Sequence, residues 1–407
     1  MIKTDVIVIG AGAAGLFCAT EAGKRGRSAI VFDHAKRLGG KILMSGGGRC
    51  NFTNMYASHE NFICENPHFC KSALSQYTQW DFISLVNEYG IKYHEKTLGQ
   101  LFCDDTAKDI VDMLLAECKK ANVSIKNRTE ILDVKSLKGI ENDSSGKPIG
   151  ESMRYLVNTS QGEFACESLV IATGGLSMPK LGATPFGYRV AEQFNIPIIP
   201  TKAALVPFTL HEQDKQVIGE LSGISVDANA QCNDMNFNEN ILFTHRGLSG
   251  PAVLQISSYW EPGQAVEFDL FPNGNLHQDL IEQQSQTPDA HLSTALAKHY
   301  SKRFVQAALP YFNVANKPLK QYNPKELQSA AEAFSQWQIK PNGTEGYRTA
   351  EVTLGGVNTD YVSSKTMEVK NQEGLFFIGE VLDVTGWLGG YNFQWAWSSG
   401  WVAGQVV

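Results

Sequence analysis

Few side chains in this chain stand where they could move a proton or an electron pair. His245 lies in Thr244-His245-Arg246-Gly247-Leu248-Ser249-Gly250-Pro251, and histidine is the side chain suited to proton transfer near neutral pH. Ser249 or Gly250 can cap a helix that starts at Pro251. A loop histidine can equally be a solvated or capping residue. Cys50 sits beside Arg49, where a cation favours a thiolate, although a lone cysteine among glycines also serves as a small packed side chain. The remaining candidates are acids at the ends of apolar runs, Asp33, Glu380 and Asp383, each next to a stretch rich in glycine.

The elements that would position these groups begin with Thr4 to Ile9, an apolar, β-branched run that breaks into Gly10-Ala11-Gly12-Ala13-Ala14-Gly15 and then into a helix ending near Lys24. Glycines at this spacing allow a tight turn, close approach of a pyrophosphate at Gly12, and close packing of helix on strand. The pyrophosphate would sit on the free N–H groups and positive dipole end of the helix. A second buried strand, Ser28 to Phe32, closes on Asp33, placed to hold a ribose hydroxyl. A glycine-rich turn without a ligand is the plainer alternative.

The segment Gly39 to Asn54 is too rich in glycine for a packed helix or central strand. It reads as a loop that brings Lys41, Ser45, Gly47, Gly48, Arg49, Cys50 and Asn51 against the rest of the same cofactor. Ser168 to Gly175 is an apolar strand ending at Thr173 and Gly174, expected to return to the sheet beside the first strand. Near the end of the chain, a strand at Gly374 to Glu380 runs into Asp383, Gly389, Gly390, Tyr391 and Asn392, and a final helix follows from Phe393. A carboxylate there would bind a ribityl chain, and the helix would point at the pyrimidine edge of a flavin. Tyr56 to Thr97 reads as largely helical, Asp105 to Ala121 as an amphipathic helix, and Val123 to Phe164 as hairpin strands around a polar turn at Glu141 to Lys147. The composition changes near Asn195, where proline-broken and period-two segments give way to a helix-forming region. This divides the chain into 1–194, an inserted 195–346, and 347–407.

The chain has 407 residues and a net charge of -7, which argues against an extended nucleic-acid coat but not against a local basic patch. Its eight cysteines show no zinc spacing and no C-x-x-C, so no metal is expected. No apolar run approaches the roughly 18 residues needed to span a membrane. No signal peptide precedes the first strand, which suggests the cytoplasm. Oligomeric state is left open.

The segments Gly10 to Gly15, SGGGRCNFTN (Ser45 to Asn54), ATGG (Ala172 to Gly175), THRGLSGPA (Thr244 to Ala252), VTLGGV (Val352 to Val357) and GEVLDVTGWLGGYNFQWA (Gly379 to Ala396) occur together and in order. In these the chain resembles the YhiN-like, BaiN-like (aminoacetone-oxidase-like) FAD-dependent flavoproteins over essentially its whole length. The resemblance implies an α/β architecture: a Rossmann-like FAD-binding domain of glutathione-reductase type, built from both chain ends, with an inserted β-barrel plus helical domain. It also implies FAD held by the first glycines, Asp33, the Ser45 to Asn54 loop and the Gly379 to Asn392 segment. There is no second G-x-G-x-x-G after a strand, so NADPH or NADH, if it is the electron donor, must dock transiently. Dithiol exchange is disfavoured because the cysteines are not paired. The expected reaction is a reduction, in which hydride passes from flavin N5 to an activated C=C bond and a proton comes from His245, Cys50 or water. The family suggests a steroid enone or a uridine in ribosomal RNA as the acceptor. The alternatives are an amine oxidase using O2, and a flavin-binding RNA-interaction protein without turnover. Arg49, Lys41, Lys202, Arg246 and Arg348 could line a cleft for an anion, which would favour an RNA substrate.

Overall fold

The computed structural model describes residues 1–139, 150 and 152–407. The polar turn expected at Glu141 to Lys147 lies outside them. The first strand, Ile2–Ile9, is fully enclosed from Val6 onward, as a β-branched run must be when both faces of a parallel sheet are covered. It pairs in parallel with Ala29–Phe32 on one side and Gly162–Ile171 on the other. The sheet runs in the order 124–126, 29–32, 2–9, 162–171, 155–159, 131–136, and Leu375–Phe377 from the far end of the chain adds in parallel to Gly162–Ile171. Both chain ends therefore build one α/β sheet. The parallel strands end together at Ile9, Phe32, Lys126 and Phe377, the edge where ligands gather in open α/β sheets.

Helix Ala13–Lys24 is covered by the last helix, Tyr391–Gly404, most of whose residues are buried. Small residues permit the contact, since a Cβ at Gly400 would lie 2.7 Å from the Ala14 carbonyl oxygen. The chain divides into two compact units, Met1–Lys202 with Val352–Val407, and Ala203–Glu351. In the second unit an antiparallel sheet runs in the order 337–339, 266–269, 225–232, 235–244, 247–249, 208–209, 343–344. Helices complete this unit around Phe243, Phe268, Phe304 and Phe334. Among the described residues, no helix is long and apolar enough to cross a membrane, and no cluster of His, Cys, Asp and Glu could hold a metal.

Three segments differ from expectation. In Val123 to Phe164, Ser124–Lys126 is not a hairpin strand but pairs in parallel with Ala29–Phe32. Tyr56 to Thr97 holds the α-helices Phe69–Gln76 and Gln79–Glu88 with a helical turn at His59–Asn61 and short strands at Phe62–Ile63 and Tyr93–Glu95, because Pro67 disfavours helix at Asn66 and a Thr78–Asp81 capping box fixes a fresh start. The glycine segment is not wholly a loop. It contains a helical turn at Gly40–Met44, anchored by buried Ile42, and a strand at Asn51–Asn54 paired with Gln100–Cys103.

One ionic cluster braces the first unit. Glu117, with its side chain 7% exposed, accepts from Lys24 Nζ and Lys120 Nζ, each at 2.9 Å, and from the Tyr89 hydroxyl at 2.5 Å. Burial pushes this carboxyl up, but the bonds from Tyr89, Lys24 and Lys120 together outweigh it and bring it from the ordinary 4.5 down to about 2. A depressed carboxyl stabilises the fold above its unfolded pKa and loses that contribution as pH falls through its folded one. Glu117→Gln is therefore expected to destabilise the protein at neutral pH by about 1–3 kcal/mol. In thermal melts the gap to the wild type should close as pH falls from 4.5 toward 2.

Candidate functional site

The turn after the first strand separates the roles of its glycines. Gly10 has φ +112°, and a Cβ there would fall 2.3 Å from the Ala172 carbonyl oxygen; a Cβ on Gly15 would fall 1.9 Å from the carbonyl oxygen of Gly10. Nothing lies within 4 Å of a Cβ on Gly12. Gly12 is also the N-cap of helix Ala13–Lys24, with no capping side chain, so the N–H groups of Ala13, Ala14 and Gly15 head the helix beside open space. Asp33 does more than wait for a ribose. Its Oδ2 accepts from the Ala11 N–H and its Oδ1 from the Ala35 N–H, both at 2.7 Å, so its carboxylate ties the glycine turn to the end of the second strand.

Glu380 is where the distant segments meet. Its Oε2 pairs with Lys41 Nζ at 2.6 Å, and its Oε1 accepts from the Thr353 N–H at 3.0 Å and from the Ser177 hydroxyl at 3.1 Å. Lys41 Nζ also donates to Ser177 Oγ at 2.7 Å. Thr353 Oγ1 in turn accepts from the N–H groups of Leu176 and Ser177 at 2.8 and 3.2 Å. Lys41 is thus paired rather than an unbalanced cation. Gly174 faces the same carboxylate, with its Cβ position 3.7 Å from Glu380 Oε2. The Thr173 hydroxyl is buried against Gly187, whose Cβ position lies 2.3 Å from it, without a hydrogen-bond partner. Gly379 is fixed from behind, its N–H donating to Ser399 Oγ and its carbonyl accepting from Trp395 Nε1, both at 3.0 Å.

Several side chains expected at the cofactor instead brace the loops around it. Asn392 Nδ2 donates to the Gly386 carbonyl at 2.7 Å and its Oδ1 accepts from the Gly386 N–H at 2.9 Å. Asn51, with its amide oriented to suit its neighbours, donates to the Leu101 and Thr53 carbonyls and accepts from the Gly390 N–H. Asn54 Nδ2 holds the Gly389 carbonyl at 2.9 Å. Tyr391 is buried edge-on against Phe62 and Trp387. Asp383 is also buried, accepting from the Glu65 N–H at 2.9 Å, and burial raises its carboxyl. These bonds share one cause: a glycine loop with few internal contacts needs polar side chains to hold its shape. Ser45 Oγ is likewise turned inward, to the Ile42 carbonyl at 2.8 Å. Gly47 and Gly48 face open space, and Arg49 is exposed.

Cys50 is corrected more sharply. Its thiol is fully buried, and burial pushes it well above the ordinary thiol range despite a hydrogen bond with Ser45. A neutral, enclosed thiol is neither a thiolate nor a proton donor to substrate. Cys50→Ala is expected to keep turnover within about twofold, and the native thiol should resist iodoacetamide until the protein unfolds. His245 belongs to the second unit. It is exposed at the tip of a tight turn in which Thr244 Oγ1 accepts from the Arg246 and Gly247 N–H groups at 3.3 and 3.1 Å. Arg246 is paired with Glu345 at 3.2 Å. The helix expected behind the pair is present as Pro251–Ser257, with Gly250 as its N-cap.

Ser177, Thr353 and Ser399 were not singled out by their positions in the sequence. The available signal was a polar residue inside an otherwise apolar run, as at Thr353, which is wholly buried. Taken together, the open cradle at Gly12, the uncapped helix and the carboxylate of Glu380 fit a flavin adenine dinucleotide. Its pyrophosphate would rest at Gly12 to Gly15 and its polyol chain near Glu380.

Comparison with known proteins places this arrangement. The model of the HI0933-like protein Rossmann domain family matches residues 4–406. The chain is 54% identical over 407 residues to a ribosomal RNA dihydrouridine synthase of Escherichia coli strain K12, covering 100% of this chain and 98% of that one. It is 26% identical over 419 residues to a 3-dehydro-bile acid delta(4,6)-reductase of Clostridium scindens, covering 98% of each. Among solved structures it is similar to a 3-ketosteroid-delta4-(5alpha)-dehydrogenase from Rhodococcus jostii RHA1, with 13% identity, TM-score 0.48, and coverage of 99% of this chain and 97% of that one. The chain belongs to the HI0933-like Rossmann family and is an FAD-dependent oxidoreductase.

Proposed function

We propose that this protein is an NAD(P)H-linked reductase that saturates the C5=C6 bond of a uridine in ribosomal RNA. The observation that carries this reading is the 54% identity, over the whole of this chain, to a protein named for that reaction. The balance is simple: NADPH or NADH and one proton are consumed, the oxidised nicotinamide is released, and the base gains two hydrogens as dihydrouridine. Bound FAD supplies hydride transfer at N5.

The protein's own groups do the rest. The glycine turn and the head of helix Ala13–Lys24 would hold the pyrophosphate, and Glu380, set by Lys41, Ser177 and Thr353, would hold the polyol chain. The N-terminus of helix Tyr391–Gly404, also uncapped by any side chain, would offer a positive dipole end to a bound flavin. We assign the proton donor's role to His245 on its residue type and its exposure. In uracil the C5=C6 bond is conjugated with the C4 carbonyl, so C6 is the electrophilic carbon and C5 the one that must be protonated. The similarity to a bile acid reductase favours a second reading, reduction of a small enone, which has the same electronic requirement. Anaerobic mixing with NADPH or NADH should bleach the flavin, and adding ribosomal RNA should restore its colour. Restoration by a steroid enone and not by RNA would select the second reading.

A further inference from the structure

Resting on that reading of an RNA substrate, we infer that the loops at 33–37 and 126–130 form the surface on which the phosphate backbone of the RNA docks. The loops leave adjacent parallel strands at their carboxyl ends, where Phe32 pairs with Lys126. They are tied together by bonds from the Asp33 N–H to the Lys126 carbonyl at 3.1 Å, the Thr129 N–H to Asp33 at 2.9 Å, the Arg128 N–H to Ala35 at 3.3 Å and Asn127 Nδ2 to Lys36 at 3.2 Å. His34 reaches across to Gly182, with Nε2 2.8 Å from the position of a Cβ there, which brings the turn Pro179–Leu181 and its Lys180 alongside. His34, Lys36, Arg37, Arg128 and Lys180 are all exposed.

Their charge is unbalanced. Among the described residues, Lys36, Arg37, Arg128 and Lys180 have no ion-pair partner, whereas Lys24, Arg27, Lys108, Arg154 and Lys317 each have one. Against these four cations stand two carboxylates: Asp33, shared between two backbone N–H groups and 4.0 Å from His34 Nδ1, and the exposed Glu130. In a chain of net charge -7, such a cluster stands out against a repulsive background, which fixes where a polyanion can land. It lies at the same end of the sheet as the glycine turn, so an RNA held there is held on the cofactor side.

The test replaces three of these cations together: Lys36→Gln, Arg37→Gln and Arg128→Asn. Asparagine suits position 128, where φ is +51°. Lys108→Gln, a cation 60% exposed but paired with Asp112, is the control. Binding of a fluorescein-labelled fragment of ribosomal RNA is followed by anisotropy across a potassium chloride series. The triple variant should bind roughly 10- to 100-fold more weakly, with a salt slope shallower by about 2. Its flavin content and its bleaching by NADPH should be unchanged. RNA affinity and slope equal to wild type would overturn the docking surface, as would unchanged RNA binding with slowed bleaching by NADPH, which would make the patch a dinucleotide site. If the wild type binds the RNA through these residues but forms no dihydrouridine, the reading of the reaction falls and the docking surface stands. If dihydrouridine forms equally with the wild type and the triple variant at limiting RNA, the docking surface alone falls.

Discussion

Gly15→Ala is expected to give a colourless protein, its melting temperature lowered and insensitive to added FAD. The new Cβ would sit 1.9 Å from the Gly10 carbonyl oxygen and 3.1 Å from the Ala172 side chain. Neither neighbour can retreat. Gly10 is itself pressed against the Ala172 carbonyl, and that segment is locked in register with the first strand. Overpacking of this kind costs about 3 kcal/mol, the upper part of its usual range, and the relief available is to push the helix off the strand, which dismantles the pyrophosphate cradle. Gly12→Ala is the informative partner. At φ −88° an alanine is unstrained, and its methyl meets no protein atom within 4 Å. The apoprotein should melt as the wild type does while FAD binds more weakly, because the methyl occupies the ligand's space. Equal FAD affinity in Gly12→Ala would mean that the open cradle is not where the dinucleotide lies.

His245→Ala is expected to lower the rate of uridine reduction by about 100-fold, the lower bound for loss of a positioned general acid, while bleaching of the flavin by NADPH proceeds at the wild-type rate. The separation follows from the surroundings of the residue. The turn that carries His245 is held by Thr244 and the backbone, not by the imidazole, so the alanine variant keeps its fold and its flavin. His245→Gln, which keeps the size and a donor but not a transferable proton, should remain as slow as His245→Ala. A wild-type rate in both would assign the proton to water.

What could be read from the sequence was local. The run Thr4 to Ile9, its glycines and the following helix state their own geometry, because turn, N-terminus and strand are contiguous and each residue type has one role there. The parallel return of Gly162–Ile171 to the first strand was legible for the same reason, as an apolar run ending in glycines. Partners separated by hundreds of positions were not. Glu380 could be named as a carboxylate near the cofactor, but nothing near it in sequence reveals Lys41, Ser177 and Thr353 around it. Asn51 and Asn392 show the converse difficulty: an amide beside glycines has the same signature whether it faces a ligand or, as their side chains do, satisfies the backbone of its own loop. Cys50 depended wholly on burial, since the same Arg-Cys pair on an open loop would be a reactive thiol.

The most direct measurement is nucleoside mass analysis of ribosomal RNA after anaerobic incubation with the flavin-loaded protein and NADPH. The account predicts a uridine that gains two hydrogens, one dihydrouridine formed for each nicotinamide oxidised, with the hydrogen at C5 drawn from solvent. Unaltered uridine in RNA that binds the protein, with the reduced flavin persisting until oxygen is admitted, would contradict it.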